Sequence, residues 1–295
     1  MIFSQVAQAG SIRQAAERLG MSASSVSRQI ARMEHELSVQ LVLRNAQGIK
    51  LTPAGEILAR FVQSRTREFE RLKASITELE RLERGHVSFA CVEGMLGGFL
   101  PAAISEFSRK HPGITYEVTV MGADDVMAAV ATHRCDFGIA FQPRPRPDVE
   151  TIHRLPQPLL AVVAATHPLS TRGQLALWDL APHPVGLPDQ TFGIRNIVNR
   201  AMKAHGVVLR VRLETNSIDM VRQFALHGMG VAFLPHFAFA HAAGAGNLVG
   251  IPLKEREFAE ASAQFCKSTQ YELSLAARAL LTAIVSASSD TCVLH

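Results

Sequence analysis

A cluster of hydroxyl side chains directly precedes two arginines near the start of the chain. The stretch MSASSVSRQIARME, residues 21–34, holds four serines within six positions: Ser22, Ser24, Ser25 and Ser27. Arg28 and Arg32 follow at a spacing of one helical turn. Short hydroxyl groups can bond phosphates or base edges without holding a helix away from a nucleic acid, and arginine can reach a guanine edge or the backbone. A capped helix exposed to solvent has the same composition, so this stretch alone leaves two interpretations open.

The segments around this stretch predict a winged helix-turn-helix. SIRQAAERLG, residues 11–20, has apolar residues at helical spacing and ends in Gly20, which suits a helix C-terminus. The next helix would begin after Ser22 as its N-cap, so a tight turn joins the two helices. VQLVLRNAQGIKL, residues 39–51, alternates apolar residues around a turn and predicts a β-wing. Such a helix presents its first turns to the major groove, which favours DNA as the partner.

The net positive charge lies entirely in the first part of the chain. Residues 1–84 carry 13 Lys and Arg against 9 Asp and Glu, whereas residues 85–295 carry 17 against 17. A basic segment ahead of a neutral body predicts a polyanionic partner, nucleic acid before membrane. Because no basic-then-apolar leader and no apolar run of membrane-spanning length occurs, we expect a cytoplasmic protein.

A long helix is predicted from about Pro53 to Arg84, with Thr52 as its cap and Pro53 in its first turn. Its heptad positions are apolar except at Arg65, and they fall at residues 58, 62, 65, 69, 72, 76 and 79. This spacing favours a dimerising coiled coil, although an amphipathic helix packed on its own domain also fits.

After residue 85 the pattern changes to an alternation of strands and helices, which predicts an α/β fold with a largely parallel sheet. A second round of alternation follows a predicted extended crossover near LLAVVAATHPL, residues 159–169. Two successive units of this kind predict two lobes around a cleft.

Signatures of catalysis are missing from the sequence. No nucleophile elbow, P-loop, zinc-protease or dinucleotide-binding motif occurs, and the twelve histidines are scattered. The cysteines are widely spaced, at Cys91, Cys135, Cys266 and Cys292. This spacing favours buried thiols over disulfides and leaves a redox-sensing role open. We therefore expect no enzyme activity, no metal and no cofactor.

Two other classes of protein stay open on the residues alone. Residues 86–295 could act as a solute-binding protein, or the chain could be an α/β enzyme with a helical appendage, because catalytic triads need not be local in sequence.

The motifs AAERL, S-x-S-S-V-S-R-Q-I, E-x-E-L, L-V-L-R and LTPAGE resemble those of the LysR-type transcriptional regulators, and the resemblance continues through FLPAAISEFSRKHPG, CDFGIAF and HGMGVAFLP. It implies a DNA-binding domain at 1–56, a linker and dimerisation helix at 57–85 and an effector-binding domain at 86–295. That last domain is similar to periplasmic binding proteins. Its lobe I would span about 86–162 and 266–295, and its lobe II about 163–265. The implied partners are double-stranded DNA, a small-molecule effector and further copies of the chain, as a dimer or tetramer.

The resemblance also assigns DNA contacts by position. The serines at 22, 24, 25 and 27 fall on the recognition helix together with Arg28 and Arg32. Arg44 would contact a phosphate or fix the wing, and Lys50 and Thr52 would touch the backbone beside it.

The effector site is predicted at the loops that face the cleft. The loop at 91–99 contributes Glu93, Gly94 and Met95, where many relatives carry a Ser or Thr that contacts a carboxylate. Glu93 could therefore select against a carboxylate or pair with an amine. The matching loop of the second lobe contributes Thr191 and Phe192. The remaining candidates are Gly122, Phe141, Gln142, Ser217 and Pro235. A purely structural role is the alternative for each of these residues.

Overall fold

Apolar residues of this chain separate into two hydrophobic cores, one for each of two compact units, Met1–Lys73 and Ala74–His295. The computed structural model describes residues 2–45, 48–77, 84–239 and 247–292.

The first unit contains the predicted winged helix-turn-helix. Its elements in chain order are α1 (Ile2–Ala9), α2 (Ile12–Leu19), α3 (Ala23–Leu37), β1 (Val42–Asn45), β2 (Gly48–Leu51) and α4 (Pro53–Thr77). Gly20 ends α2 in the left-handed region at φ 62°, and the Ser22 hydroxyl caps α3 by accepting from the Ser25 N–H. β1 and β2 pair antiparallel as the wing. The predicted turn, cap and hairpin are confirmed.

The core of this unit joins the three short helices to the wing. Phe3 and Val6 of α1 are buried against Val26 and Ile30 of α3. Ala15 and Ala16 of α2 are buried in the same cluster, where their small side chains let the helices approach closely. Leu41 and Val42 bring the start of the wing into this core.

The exposed apolar face of α4 agrees with the predicted seam at Phe69 and differs from it at the start of the helix. Leu58, assigned to the coiled-coil seam, packs against the core of its own unit. Ile57, Phe61 and Phe69 are more than half exposed, and the Arg65 guanidinium lies 5.4 Å from the centre of the Phe61 ring. The exposed stripe therefore starts at residue 57 rather than 58. The predicted seam positions at 72, 76 and 79 lie outside the described side chains.

The second unit alternates strands and helices, as predicted. Its strands in chain order are β3 (Gly85–Cys91), β4 (Ile114–Val120), β5 (Phe137–Phe141), β6 (Val149–Pro156), β7 (Leu159–Ala164), β8 (Pro184–Pro188), β9 (Arg210–Thr215), β10 (Val231–Pro235), β11 (Leu248–Ile251) and β12 (Ser262–Ser268). Its helices are α5 (Leu100–Lys110), α6 (Ala123–Ala131), α7 (Gly193–His205), α8 (Ile218–Leu226), α9 (Arg256–Ala259) and α10 (Leu275–Cys292).

These strands form two five-stranded sheets, one in each lobe. The sheet of lobe I has the order β4-β3-β5-β12-β6, and the sheet of lobe II has the order β11-β7-β10-β8-β9. The expectation of a largely parallel sheet is confirmed, because four of the five described strands in each sheet run in the same direction. In lobe I, β12 runs antiparallel to both of its neighbours, and in lobe II, β7 does the same. The two antiparallel strands are those that follow the chain's passages between the lobes.

The lobe boundaries differ by a few residues from those predicted. LLAVVAATHPL is not a crossover, because its first part is β7, hydrogen-bonded between β10 and β11 in lobe II. The chain leaves lobe I between β6 and β7, at Gln157–Pro158, and returns before β12 begins at Ser262. Buried apolar residues of both lobes form one continuous core.

Among the helices of the described residues, none combines the length and apolar content that a bilayer crossing requires.

Gly55 offers a test of how the wing is joined to α4. A Cβ atom at this position would collide with the carbonyl oxygen of Leu41, at the start of the wing. Alanine normally stabilises a helix relative to glycine. We expect Gly55→Ala instead to destabilise the first unit by about 1–3 kcal/mol, because the crowded backbone must shift. Hydrogen-exchange mass spectrometry of the full chain would show faster exchange in peptides from residues 23–51.

Glu56→Ala is the matched control, since Glu56 is exposed on the same helical turn. We expect it to leave exchange in these peptides almost unchanged. Slower exchange in Gly55→Ala than in the parent chain would contradict the close approach.

Candidate functional site

The first turn of α3 carries a small network of hydroxyl groups. The Ser22 hydroxyl donates to the Ser25 hydroxyl at 2.9 Å and lies 3.0 Å from that of Ser24. The Ser25 N–H donates to the Ser22 oxygen at 3.2 Å. Ser22 is thus the cap that starts the helix, while Ser24 is exposed and Ser25 and Ser27 are half-buried on its first turns.

The two arginines of α3 have different surroundings. Arg28 is exposed and makes no ion pair within the part of the chain that the structure describes. Arg32 donates to the carboxylate of Glu36 at 2.8 Å, one turn further along the helix. Both groups of this pair are exposed, so the pair is weak and can open in favour of a phosphate. Arg28 is the more available of the two.

Glu34 fastens the wing to the recognition helix. Its carboxylate accepts the N–H groups of Leu41 at 2.8 Å and of Val42 at 3.1 Å. On the other strand of the wing, the Ile49 N–H donates to the Gly10 carbonyl at 2.8 Å. The sequence shows Glu34 only as part of the E-x-E-L motif and does not indicate its contact with the wing. Its partners are main-chain N–H groups, which every residue type except proline carries.

The wing positions the remaining predicted DNA contacts. Lys50 is exposed and lies opposite Leu43 in the hairpin. Arg44 pairs with Ile49 in the strand register, but its side chain lies outside the described residues. Thr52 needs a correction. Its buried hydroxyl donates to the Gln40 carbonyl at 2.7 Å and accepts from the Gly55 N–H at 3.0 Å, so it caps α4 and is not available to DNA.

A narrow apolar cavity separates the two lobes of the second unit. It contains about 340 Å³ of space between atoms, its open mouth included. The lobe I wall consists of Val92, Gly94, Ala123 and Phe141. The lobe II wall consists of Phe192, Gly193, Ile194, Ile218, Pro235, Phe237 and Ala238. Four predicted effector residues, Gly94, Phe141, Phe192 and Pro235, therefore lie on its walls.

Two glycines let the cavity walls come together. A Cβ atom on Gly193 would collide with the carbonyl oxygen of Phe141 in the opposite lobe. A Cβ atom on Gly94 would lie 3.1 Å from the Phe237 ring. The rings of Phe141 and Phe237 meet edge to face, with their centres 5.8 Å apart. The lobes are thus in close contact at residues of the cavity wall.

Glu93 and Ser217, both predicted effector residues, bond to each other beside this cavity. Glu93 lies in a short 3₁₀ turn, Glu93–Gly97, of lobe I. Its carboxylate accepts the Ser217 hydroxyl at 2.9 Å and the N–H groups of Ile218 at 2.8 Å and Asp219 at 3.1 Å. Ser217 is the N-cap of α8 in lobe II. A side chain of one lobe therefore caps a helix of the other.

Two predicted effector residues face each other at the side of the cleft. The nearest atoms to a Cβ built on Gly122 include the carbonyl and hydroxyl oxygens of Thr191, at 3.7 and 3.9 Å. The Thr191 hydroxyl donates to Asp189 at 2.6 Å, which closes its own loop.

Two other predicted effector residues are directed elsewhere. Met95 is completely buried in the hydrophobic core. The Gln142 amide donates to the Glu260 carbonyl at 3.4 Å. Met95 is therefore not assigned an effector contact. Gln142 stays a prediction, because a Cβ atom on the wall residue Gly193 would lie 3.1 Å from the Gln142 Cβ atom.

Sequence reasoning missed most of the lobe II wall. Phe237 could have been found from the aromatic-rich run FLPHFAFA, residues 233–240. Gly193 could have been found from the Phe-Gly pair at the start of α7. Val92, Ala123, Ile194 and Ile218 resemble ordinary core residues, so their sequence context does not distinguish them.

The described cysteines are buried thiols. Burial raises the pKa of Cys91 to about 12 and that of Cys266 to about 11, and Cys135 is also buried. A thiol with so high a pKa carries little of the reactive thiolate at neutral pH. The side chain of Cys292 lies outside the described residues. In the described part of the chain, no group of three His, Cys, Asp or Glu is arranged to hold a metal ion.

Comparison with known families decides the class of protein. Residues 1–56 match the model of the bacterial regulatory helix-turn-helix protein, lysR family, and residues 80–289 match that of the LysR substrate binding domain. The second match alone covers more than half of the chain. The chain belongs to the LysR family. This LysR-family protein is a DNA-binding transcriptional regulator with an effector-binding domain, and the open alternatives of an enzyme or a separate solute-binding protein are set aside.

Individual relatives agree with this assignment. A probable nitrogen assimilation transcriptional activator of Synechococcus elongatus is 28% identical over 260 residues, which cover 85% of this chain and 82% of that protein. A variant of full-length OxyR from Pseudomonas aeruginosa has a TM-score of 0.72 and 18% identity, covering 97% of this chain and 92% of that one. The CcmR regulatory domain of Synechocystis in complex with 2-PG has a TM-score of 0.61 and 21% identity, covering 70% and 99%. These structures share the fold.

The burial of the thiols predicts slow chemical modification. At about pH 8, we expect iodoacetamide to alkylate Cys91 and Cys266 at less than about one hundredth of the rate of an exposed thiol, because little thiolate is present below their raised pKa values. Peptide mapping by mass spectrometry measures each site, and the same reaction in urea shows the rate once burial is lost. Alkylation of native Cys91 as fast as in urea would contradict a buried, protonated thiol.

Proposed function

We propose that this LysR-family regulator reads DNA through the exposed start of α3 and the adjacent wing. Ser24, Ser25, Ser27, Arg28 and Arg32 would contact base edges and phosphates in the major groove, with Ser22 supporting them as the cap. Lys50 and Arg44 would contact the phosphate backbone. The observation that carries this proposal is the network of short hydroxyl groups on α3 beside the exposed Arg28, which makes no ion pair with any described residue.

The effector would occupy the cavity between the lobes. Walls from both lobes support this proposal, because a molecule bound there contacts two bodies that can change their relative angle. The proposed contacts are Gly94, Phe141, Phe192 and Pro235, with Glu93, Ser217, Gly122 and Thr191 beside them. A change in the angle between the lobes would alter how copies of the chain pack and how far the bound DNA bends.

A homo-oligomer would present two such DNA-binding units. The exposed stripe of Ile57, Phe61 and Phe69 on α4 supports pairing through this helix, since monomeric proteins rarely expose several large apolar side chains in a row. Two-fold pairing would make the target an inverted repeat. The site of action would be the cytoplasm.

Enrichment of genomic DNA tests the proposed function. The purified full chain is mixed with sheared genomic DNA at near-physiological salt, and the retained fragments are sequenced. We expect a small set of sites that share an inverted repeat, because paired recognition helices read two half-sites. Retention of fragments without a common sequence would contradict specific DNA recognition by this chain.

Replacement of Arg28 tests the base contact at the site so identified. We expect Arg28→Ala to weaken specific binding by about 1–3 kcal/mol, because a guanidinium can make two hydrogen bonds to a guanine edge. Fluorescence anisotropy with the enriched site and a scrambled site measures the difference. Arg109→Ala, an exposed arginine of α5 in the effector domain, is the control. An unchanged affinity ratio between the two sites would remove Arg28 from base recognition.

A further inference from the structure

The Glu93 carboxylate already occupies the N-terminus of α8, where a free anion could otherwise bind. The first N–H groups of a helix form a natural anion site, and those of α8 open toward lobe I. The Glu93 carboxylate accepts two of them, from Ile218 and Asp219, and the Ser217 hydroxyl accepts a third, from Met220. The end of α8 is therefore satisfied by the protein itself.

The cavity wall next to Glu93 carries no charged side chain among the described residues. Val92 and Gly94, the neighbours of Glu93, line the cavity together with Ile218, whose N–H bonds the carboxylate. All lining residues among the described ones are apolar. Arg222 lines an adjoining pocket that shares Gly94 and Ile218 with the cavity, and it pairs with Asp219 there. Arg195 donates to Glu214 at 2.7 Å. A second negative charge would enter an apolar space beside an existing one.

One feature favours a polar atom on the ligand. Gly193 and Ile194 begin α7 at the cavity wall, and no side chain caps this helix. Their N–H groups could bond either a neutral oxygen or an anion. A neutral oxygen is favoured there, because the Glu93 carboxylate lies beside the cavity and the described lining residues include no cation.

We infer that the cavity selects a compact, uncharged and mainly apolar molecule, and that Glu93 is the residue that excludes carboxylates. This inference rests on the proposed function, since it assigns a ligand class to the same effector site. The lobes touch through residues that line the narrow cavity, so a ligand of this class would spread them as it enters.

Benzamide and benzoate form a suitable pair of probes, because they share a ring and differ in charge. Each is titrated into the full chain carrying ¹³C-labelled isoleucine methyl groups, with Ile194 and Ile218 as reporters in the cavity and Ile30 in the core of the first unit as a reference. We expect benzamide to bind at least about tenfold more tightly than benzoate. In Glu93→Gln, which keeps an acceptor oxygen without the charge, this preference falls by about tenfold.

Glu106→Gln is the matched control, since Glu106 is an exposed carboxylate of the same lobe that pairs with Lys110. It should keep the preference of the parent chain. Benzoate binding as tight as benzamide in the parent chain overturns the inference, as does the absence of any shift at Ile194 and Ile218 with both probes. An unchanged preference in Glu93→Gln removes Glu93 as the selecting residue.

Enrichment of genomic DNA is measured without either probe. Failure of the ligand assignment is therefore distinguishable from failure of DNA recognition.

Discussion

The effector domain depends on the chain passing twice between two sheets. Each passage is followed by a strand that runs against its neighbours, β7 in lobe II and β12 in lobe I. The two connections keep the lobes adjacent while leaving the rest of the boundary to side-chain contacts. That boundary contains the cavity and the close contact of Gly193 with the Phe141 carbonyl. It also contains the hydrogen bonds that Glu93 accepts from the start of α8. Small changes there can alter the angle between whole sheets.

The first unit holds its short helices and its wing together with only a small hydrophobic core. Among the described residues, eight buried apolar side chains from three helices and the start of the wing supply that core. Polar groups supply the rest, because Glu34 ties the wing to α3 and Gly10 ties it to the turn before α2. The wing is therefore held without the side chain of Arg28, which stays exposed on α3.

Local signals made the first unit predictable. Gly20, Ser22 and the wing turn each act on their immediate neighbours, so their positions along the chain suffice. The start of the α4 seam was misplaced by one residue because Leu58 packs against the core of its own unit, which periodicity along the chain does not record. The order of strands in the lobes and the cavity wall depend on contacts between distant segments. Glu93 and Ser217 were identified separately as site residues, but their bond joins positions 124 residues apart.

Thr52 gives the first unit a mechanical property. One hydroxyl both ends the wing and starts α4, and the Thr52 N–H donates to the Leu41 carbonyl at 3.0 Å. These hydrogen bonds restrain the hairpin and the long helix against movement relative to each other. A rotation of α4 would therefore be transmitted to the wing as a torque.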